Sequence, residues 1–78
     1  MDKNIILSDL TVQIKARIVR IEDKGAFNRR IRDMGLNPGS EIIIEKKAPL
    51  GDPLYLKVKN LGLILRENEA RKIIVEIL

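Results

Sequence analysis

Apolar residues in this chain recur at every second position, in short runs separated by turn-forming residues, and few folds accommodate that pattern. Val12, Ile14, Ala16 and Ile18 alternate with Gln13, Lys15 and Arg17, the period of a strand with one buried and one wet face. At Val19-Arg20-Ile21 the parity flips, which predicts a bulge near the end of a strand running from Val12 to Ile21. Glu41 to Lys47 is a second strand, with Ile42 and Ile44 on one face and Ile43 on the other. Leu54, Leu56 and Val58 mark a third strand, Leu61, Leu63 and Leu65 a fourth, and Ile73, Val75 and Ile77 a fifth. Asn60 tolerates positive φ and is expected to turn the third strand into the fourth as a hairpin.

Between the first two strands the period changes. Phe27, Ile31 and Met34 fall on one helical stripe, so Gly25 to Met34 is read as the single α-helix. Gly35 stands where a left-handed residue ends such a helix, Leu36 follows as its hydrophobic contact, and Pro38 prevents resumption. Asn37-Pro38-Gly39-Ser40 has Pro and Gly at the two central positions of a type II turn. Ala48 to Pro53 is a loop by composition, with Gly51 at its turn, and Leu7 to Leu10 is a short turn that plugs two leucines into the core. Glu67 to Lys72 is long enough for about one helical turn before the last strand. The expected fold is mainly β: a five-stranded small barrel with one helix, whose closure hides strand edges that would otherwise be exposed.

With 78 residues there is room for one domain, 1–78. Cysteine and histidine are both absent, which removes disulfides, thiolate or imidazole metal ligands, Cys nucleophiles and every His-dependent triad. Stability must come from packing, and Ile, Leu and Val supply 27 of the 78 residues. No run reaches the roughly 18 apolar residues of a membrane span. The opening Met-Asp-Lys-Asn carries an acid, and Ile5-Ile6-Leu7 is too short for a signal peptide, so a cytoplasmic location is expected.

Three stretches then resemble one family. Arg30-Ile31-Arg32-Asp33-Met34-Gly35-Leu36-Asn37-Pro38-Gly39 looks like the helix-and-turn signature of FeoA proteins, small cytoplasmic accessory proteins of ferrous iron transport. Ala48-Pro49-Leu50-Gly51-Asp52-Pro53 resembles the family's second motif, and Leu65-Arg66, Glu69-Ala70 and Ile73 to Val75 its third. They occur in the family's order and spacing from about Leu7 to Ile77. The resemblance implies an SH3-like barrel and a partner, the membrane ferrous iron transporter FeoB, whose cytoplasmic part includes a GTP-binding domain. The same motifs recur in the terminal domain of iron-dependent repressors, which makes a metal-dependent regulatory module the alternative. Asn60 departs from the glycine the family often has at that hairpin.

The side chains suggest docking rather than chemistry. Residues 15–32 hold Lys15, Arg17, Arg20, Lys24, Arg29, Arg30 and Arg32 against Glu22 and Asp23, a local excess of +5 in a chain of net charge +4. Arginine is the cation enriched at interfaces, so Arg29, Arg30 and Arg32 are candidates for an acidic partner, with Arg30 at the centre. Leu36, Asn37, Leu50 and Asp52 join them, on the expectation that both motif loops share one end of an SH3-like barrel. Gly35, Pro38, Gly39 and Gly51 are read as backbone geometry. Nucleic acid is not the expected partner: Tyr55, flanked by Lys57 and Lys59, is the only aromatic on a polar strand face, and partial core packing is its expected fate. The acidic residues are scattered and only carboxylates and carbonyls are at hand, so no tight ferrous site and no cofactor is expected. No paired acid and base, activated nucleophile or Gly-rich phosphate loop is visible, so the chain is read as non-enzymatic.

Overall fold

The computed structural model describes residues 4–78; the Met1-Asp2-Lys3 opening discussed above lies outside the described residues. Six strands form one antiparallel sheet: β1 (Asn4–Ile6), β2 (Lys15–Ile21), β3 (Glu41–Lys47), β4 (Leu54–Val58), β5 (Leu61–Leu65) and β6 (Ile73–Ile77), in the order β1-β6-β2-β3-β4-β5. A 3-10 turn occupies Leu7–Asp9, helix α1 spans Ala26–Asp33 and the one-turn helix α2 spans Glu67–Ala70. The expected count of five strands is therefore corrected to six. The addition, β1, is three residues long and pairs Asn4 with Glu76, Ile5 with Val75 and Ile6 with Ile74. Three residues are too few to show alternation, and only the late-arriving β6 makes them a strand.

Strand β2 starts at Lys15 and not at Val12. Gln13 takes φ 67° and is pinned to β3, its N–H donating to the Ile44 carbonyl at 2.8 Å and its Nε2 to the Glu45 carbonyl at 2.8 Å. That left-handed residue breaks the extended run, and Val12 and Ile14 remain exposed despite sharing the parity of Ala16 and Ile18. The predicted bulge is present, as a register shift against β6 between Ile18 and Arg20, and a second one interrupts β3–β4 pairing between Ile44 and Lys46. Bulges bend a strand and increase its twist, so the sheet curls around its apolar face.

The core inside that curl is wholly aliphatic. Ala16 and Ile18, Ile42 and Ile44, Leu54, Leu56 and Val58, Leu65, and Ile73 and Val75 all point inward, and among the described residues no polar side chain is buried. Leu7 and Leu10 plug one opening as expected, and α1 adds Ile31. The sheet is not sealed: β1 and β5 are its two edges and share no ladder.

Helix α1 ends as its sequence predicts. Gly35 has φ 95°, its N–H donates to the Arg32 carbonyl at 3.0 Å, and the Leu36 N–H donates to the Ile31 carbonyl at 3.1 Å. These two bonds are the Schellman pair that satisfies the last carbonyls of a helix. Gly39 has φ 94° and the Ser40 N–H donates to the Asn37 carbonyl at 2.9 Å, which closes the expected turn. In the β4–β5 hairpin the positive φ falls on Lys59 (56°) rather than Asn60. The favoured two-residue turns both require positive φ at their first central residue, and Lys59 holds that place.

Candidate docking surface on helix α1 and the 48–53 loop

Arg29 and Arg32 lie three residues apart on the solvent side of α1, and among the described residues neither forms an ion pair or a side-chain hydrogen bond. Arg30 is placed differently. It pairs with Glu69 of α2 and stands over the Phe27 ring, 5.7 Å from its centroid, while the Lys72 ammonium approaches the same ring at 4.8 Å. Two cations share one quadrupole, and Arg30 is committed to its own molecule.

That commitment is part of a chain of contacts running from α1 to the 48–53 loop. Glu69 also accepts the Arg66 N–H at 2.9 Å. Asp52 accepts the Glu67 N–H at 3.0 Å and lies 3.6 Å from the Arg66 guanidinium. A carboxylate supplied from a distant loop thus caps the first turn of α2, where free N–H groups favour negative charge. Gly51, with φ 83° and its N–H on the Ala48 carbonyl at 2.7 Å, turns the loop and leaves Leu50 at its tip 95% exposed.

At the start of α1, Asp23 does comparable work. Its Oδ1 accepts the Gly25 N–H at 2.7 Å and its Oδ2 lies 3.4 Å from Lys72 Nζ, while its carbonyl accepts from Asn28. The Gly25 N–H holds the Asp23 carboxyl below its ordinary value; burial pushes the other way, and Lys72 adds to the lowering.

The sequence-predicted residues do not assemble into one site. Leu36 is fully buried under the helix cap and cannot contact a partner, which corrects its reading as a surface candidate. Its role as the cap's hydrophobic contact accounts for it entirely. Asn37 is exposed but sits with Pro38 and Gly39 at the start of β3, whereas Leu50 and Asp52 follow its end. Seven extended residues put these loops about 20 Å apart, so the two motifs do not share one end of the barrel. Contacts join α1 through α2 to the 48–53 loop, while the 37–40 turn is tied to the other side of α1, at its C-terminal cap, where the Ser40 hydroxyl donates to the Gly35 carbonyl at 3.2 Å. The 37–40 turn borders a groove of about 720 Å³ whose lining includes Lys15, Lys57 and Lys59 together with Glu41, Ile42 and Ile43. Sequence reasoning missed Glu69 and Lys72 as the partners of Arg30 and Phe27, since no local spacing links residues about forty positions apart. Tyr55 is half-buried, on the strand face opposite the inward Leu54 and Leu56, with the Lys46 ammonium 4.8 Å from its ring centroid. Among the described residues no three His, Cys, Asp or Glu side chains are grouped to hold a metal ion, and no helix is long and apolar enough to cross a membrane.

The FeoA domain profile matches residues 5–77, nearly the whole chain. The chain belongs to the FeoA family. An Fe(2+) transport protein A/Fe(2+) transporter FeoB fusion protein of Porphyromonas gingivalis is 40% identical over 72 residues, which cover 92% of this chain and only 8% of that protein. The solution structure of an FeoA-like protein from Clostridium acetobutylicum superposes with a TM-score of 0.89 at 41% identity, covering all of this chain and 91% of the other. A zinc complex of Stenotrophomonas maltophilia FeoA, described as a prokaryotic SH3 domain protein, gives 0.79 at 31% identity over 90% of this chain and 87% of that one. The fold is thus the SH3-like barrel that the FeoA resemblance implies, with six strands. A likeness to Thermoplasma acidophilum IdeR, with a TM-score of 0.86 at 23% identity over 100% of this chain and 36% of that one, speaks for the fold alone.

Proposed function

We propose that this FeoA-family chain is a non-enzymatic accessory of ferrous iron transport that acts in the cytoplasm by docking on the cytoplasmic part of a FeoB-like transporter. The observation that carries the reading is the P. gingivalis relative, in which a domain 40% identical to this one belongs to an FeoA/FeoB fusion protein. Domains joined on one chain face each other at high effective concentration, and contact between them needs a matching surface on this domain. Arg29 and Arg32 are the cations left unengaged on α1, and Leu50 is the most exposed large apolar side chain, at the tip of a loop held to the same surface by Asp52. An acidic partner surface with an apolar recess fits them. The reading includes no resident metal; ferrous iron is the transporter's cargo.

Surface-plasmon kinetics against the transporter's purified cytoplasmic domain test the proposal. Arg29→Glu with Arg32→Glu should slow association several-fold, less so at high salt, because rim charges act on encounter. Leu50→Asp should instead speed dissociation. Absence of binding by the unaltered chain, or binding indifferent to all three substitutions, would overturn the proposed surface.

A further inference from the structure

Strand β5 carries one feature that the monomer does not explain. It is an edge of the sheet, it has no charge and no proline in Leu61-Gly62-Leu63-Ile64-Leu65, and Leu61 and Ile64 are 61% and 60% exposed. Protein edges are ordinarily blunted by charge, proline or a bulge, and the β4–β5 pairing is unbroken from Val58–Leu61 to Leu54–Leu65. Gly62 is odder still. It is absent from the positive-φ residues, and a Cβ built on it would meet nothing within 4 Å. Neither turn geometry nor crowding within the chain calls for glycine there, and in a strand interior glycine weakens the sheet unless another backbone or a ligand comes close.

We propose that β5 pairs with β5 of a second copy of this chain, antiparallel about a two-fold axis at Leu63. In a hairpin with a two-residue loop, the flanking pair Val58–Leu61 exchanges both backbone bonds, so alternation turns the N–H and C=O of Gly62 and Ile64 outward. Those groups find no backbone partner among the described residues. With Leu63 opposite Leu63 of the copy, Gly62 faces Ile64 twice over, and four backbone hydrogen bonds form. Each exposed Ile64 then lies over a bare glycine beside the Lys57 stem. A peptide of unrelated sequence would satisfy the bonds, but this strand also brings its own exposed isoleucine opposite its own bare glycine. The seam is short, so the dimer belongs with weak, concentration-dependent associations.

Sedimentation equilibrium on the full chain, with three variants, tests this. For the unaltered protein, raising concentration about a hundredfold should move the average mass from one chain toward two, the range expected of a dimer at the weak end of the affinity scale. N-methylglycine at position 62, introduced by chemical synthesis, deletes one outward N–H and should weaken association at least about tenfold, two bonds being lost per dimer. Ile64→Lys touches no buried residue and should do the same if the synthetic chain fails to fold. Because the chain has no cysteine, Leu63→Cys offers a single thiol at the axis, where the two Cα atoms of a non-hydrogen-bonded pair come within disulfide reach. It should oxidise to a covalent dimer much faster than Val12→Cys. Three outcomes each overturn the proposal: a chain that stays monomeric throughout, association that survives both position-62 and position-64 changes, and Leu63→Cys cross-linking no faster than the control. If the position-62 change lowers only transporter binding, the strand that β5 accepts is the partner's and not a copy's.

Discussion

Gly35 and Asp23 hold the two ends of α1, each by backbone geometry that can be tested separately. A Cβ at Gly35 would have open space, so the cost of Gly35→Val is the left-handed φ itself, about 1–2 kcal/mol. Urea denaturation should show that loss, with Gly35→Asn retaining more of the stability. At Asp23 the effect depends on pH. Its carboxyl is held below the ordinary 3.8, so its ionised form adds stability at neutral pH that disappears as pH falls from about that value through the folded one. Asp23→Asn should therefore melt lower at pH 7 and show a shallower loss below pH 4 than the parent. The glycine was legible in the sequence because it follows a helical stripe and precedes Leu36 and Pro38. Leu36 itself was misjudged as a surface candidate: a residue in a turn motif reads as surface, yet the residue directly after a Schellman glycine folds back over the last turn. Leu36→Ala should cost about 2–5 kcal/mol in the same denaturation experiment, as expected for a fully buried leucine.

Four residues make α2 a marginal element, too short to persist without help from elsewhere. Its help comes from Asp52, fifteen residues away, and from the Arg30–Glu69 pair reaching across from α1. Asp52→Ala should lower stability by about 1 kcal/mol and, more diagnostically, raise amide exchange at Glu67 ahead of the core strands. Arg30→Ala removes a pair whose arginine is largely exposed, leaving Glu69 its bond from the Arg66 N–H, and should stay within about 1 kcal/mol of the parent. The six elements with their own period or cap were legible in the sequence: α1, α2 and β3 to β6. β1 and the true start of β2 were not. The first depends on a strand that arrives seventy residues later, and the second on Gln13 adopting a left-handed conformation that nothing in Thr11-Val12-Gln13 announces.

As a whole the molecule separates its two sources of binding energy. The interior is hydrocarbon alone, while every ion pair among the described residues lies at the surface. Molar sodium chloride should accordingly leave the melting temperature within a few degrees, roughly, because the pairs it screens contribute little. The same salt should abolish most of the arginine-driven partner association. Sequence reasoning reached the barrel from strand periods, but placed the two motif loops together. Only the path of β3 between them shows that they stand at opposite ends. The pairing of β1 with β6 has a consequence of another kind. Asn4 and Glu76 are cross-strand neighbours about 5 Å apart between Cα atoms, and only Ile77 and Leu78 follow, so the beginning and end of the described chain lie close together on one edge of the sheet. A circular permutant, joined there by a few glycines and opened between Leu50 and Gly51, should refold to the same barrel. Its new termini would then emerge beside Leu50, on the surface proposed to meet the transporter.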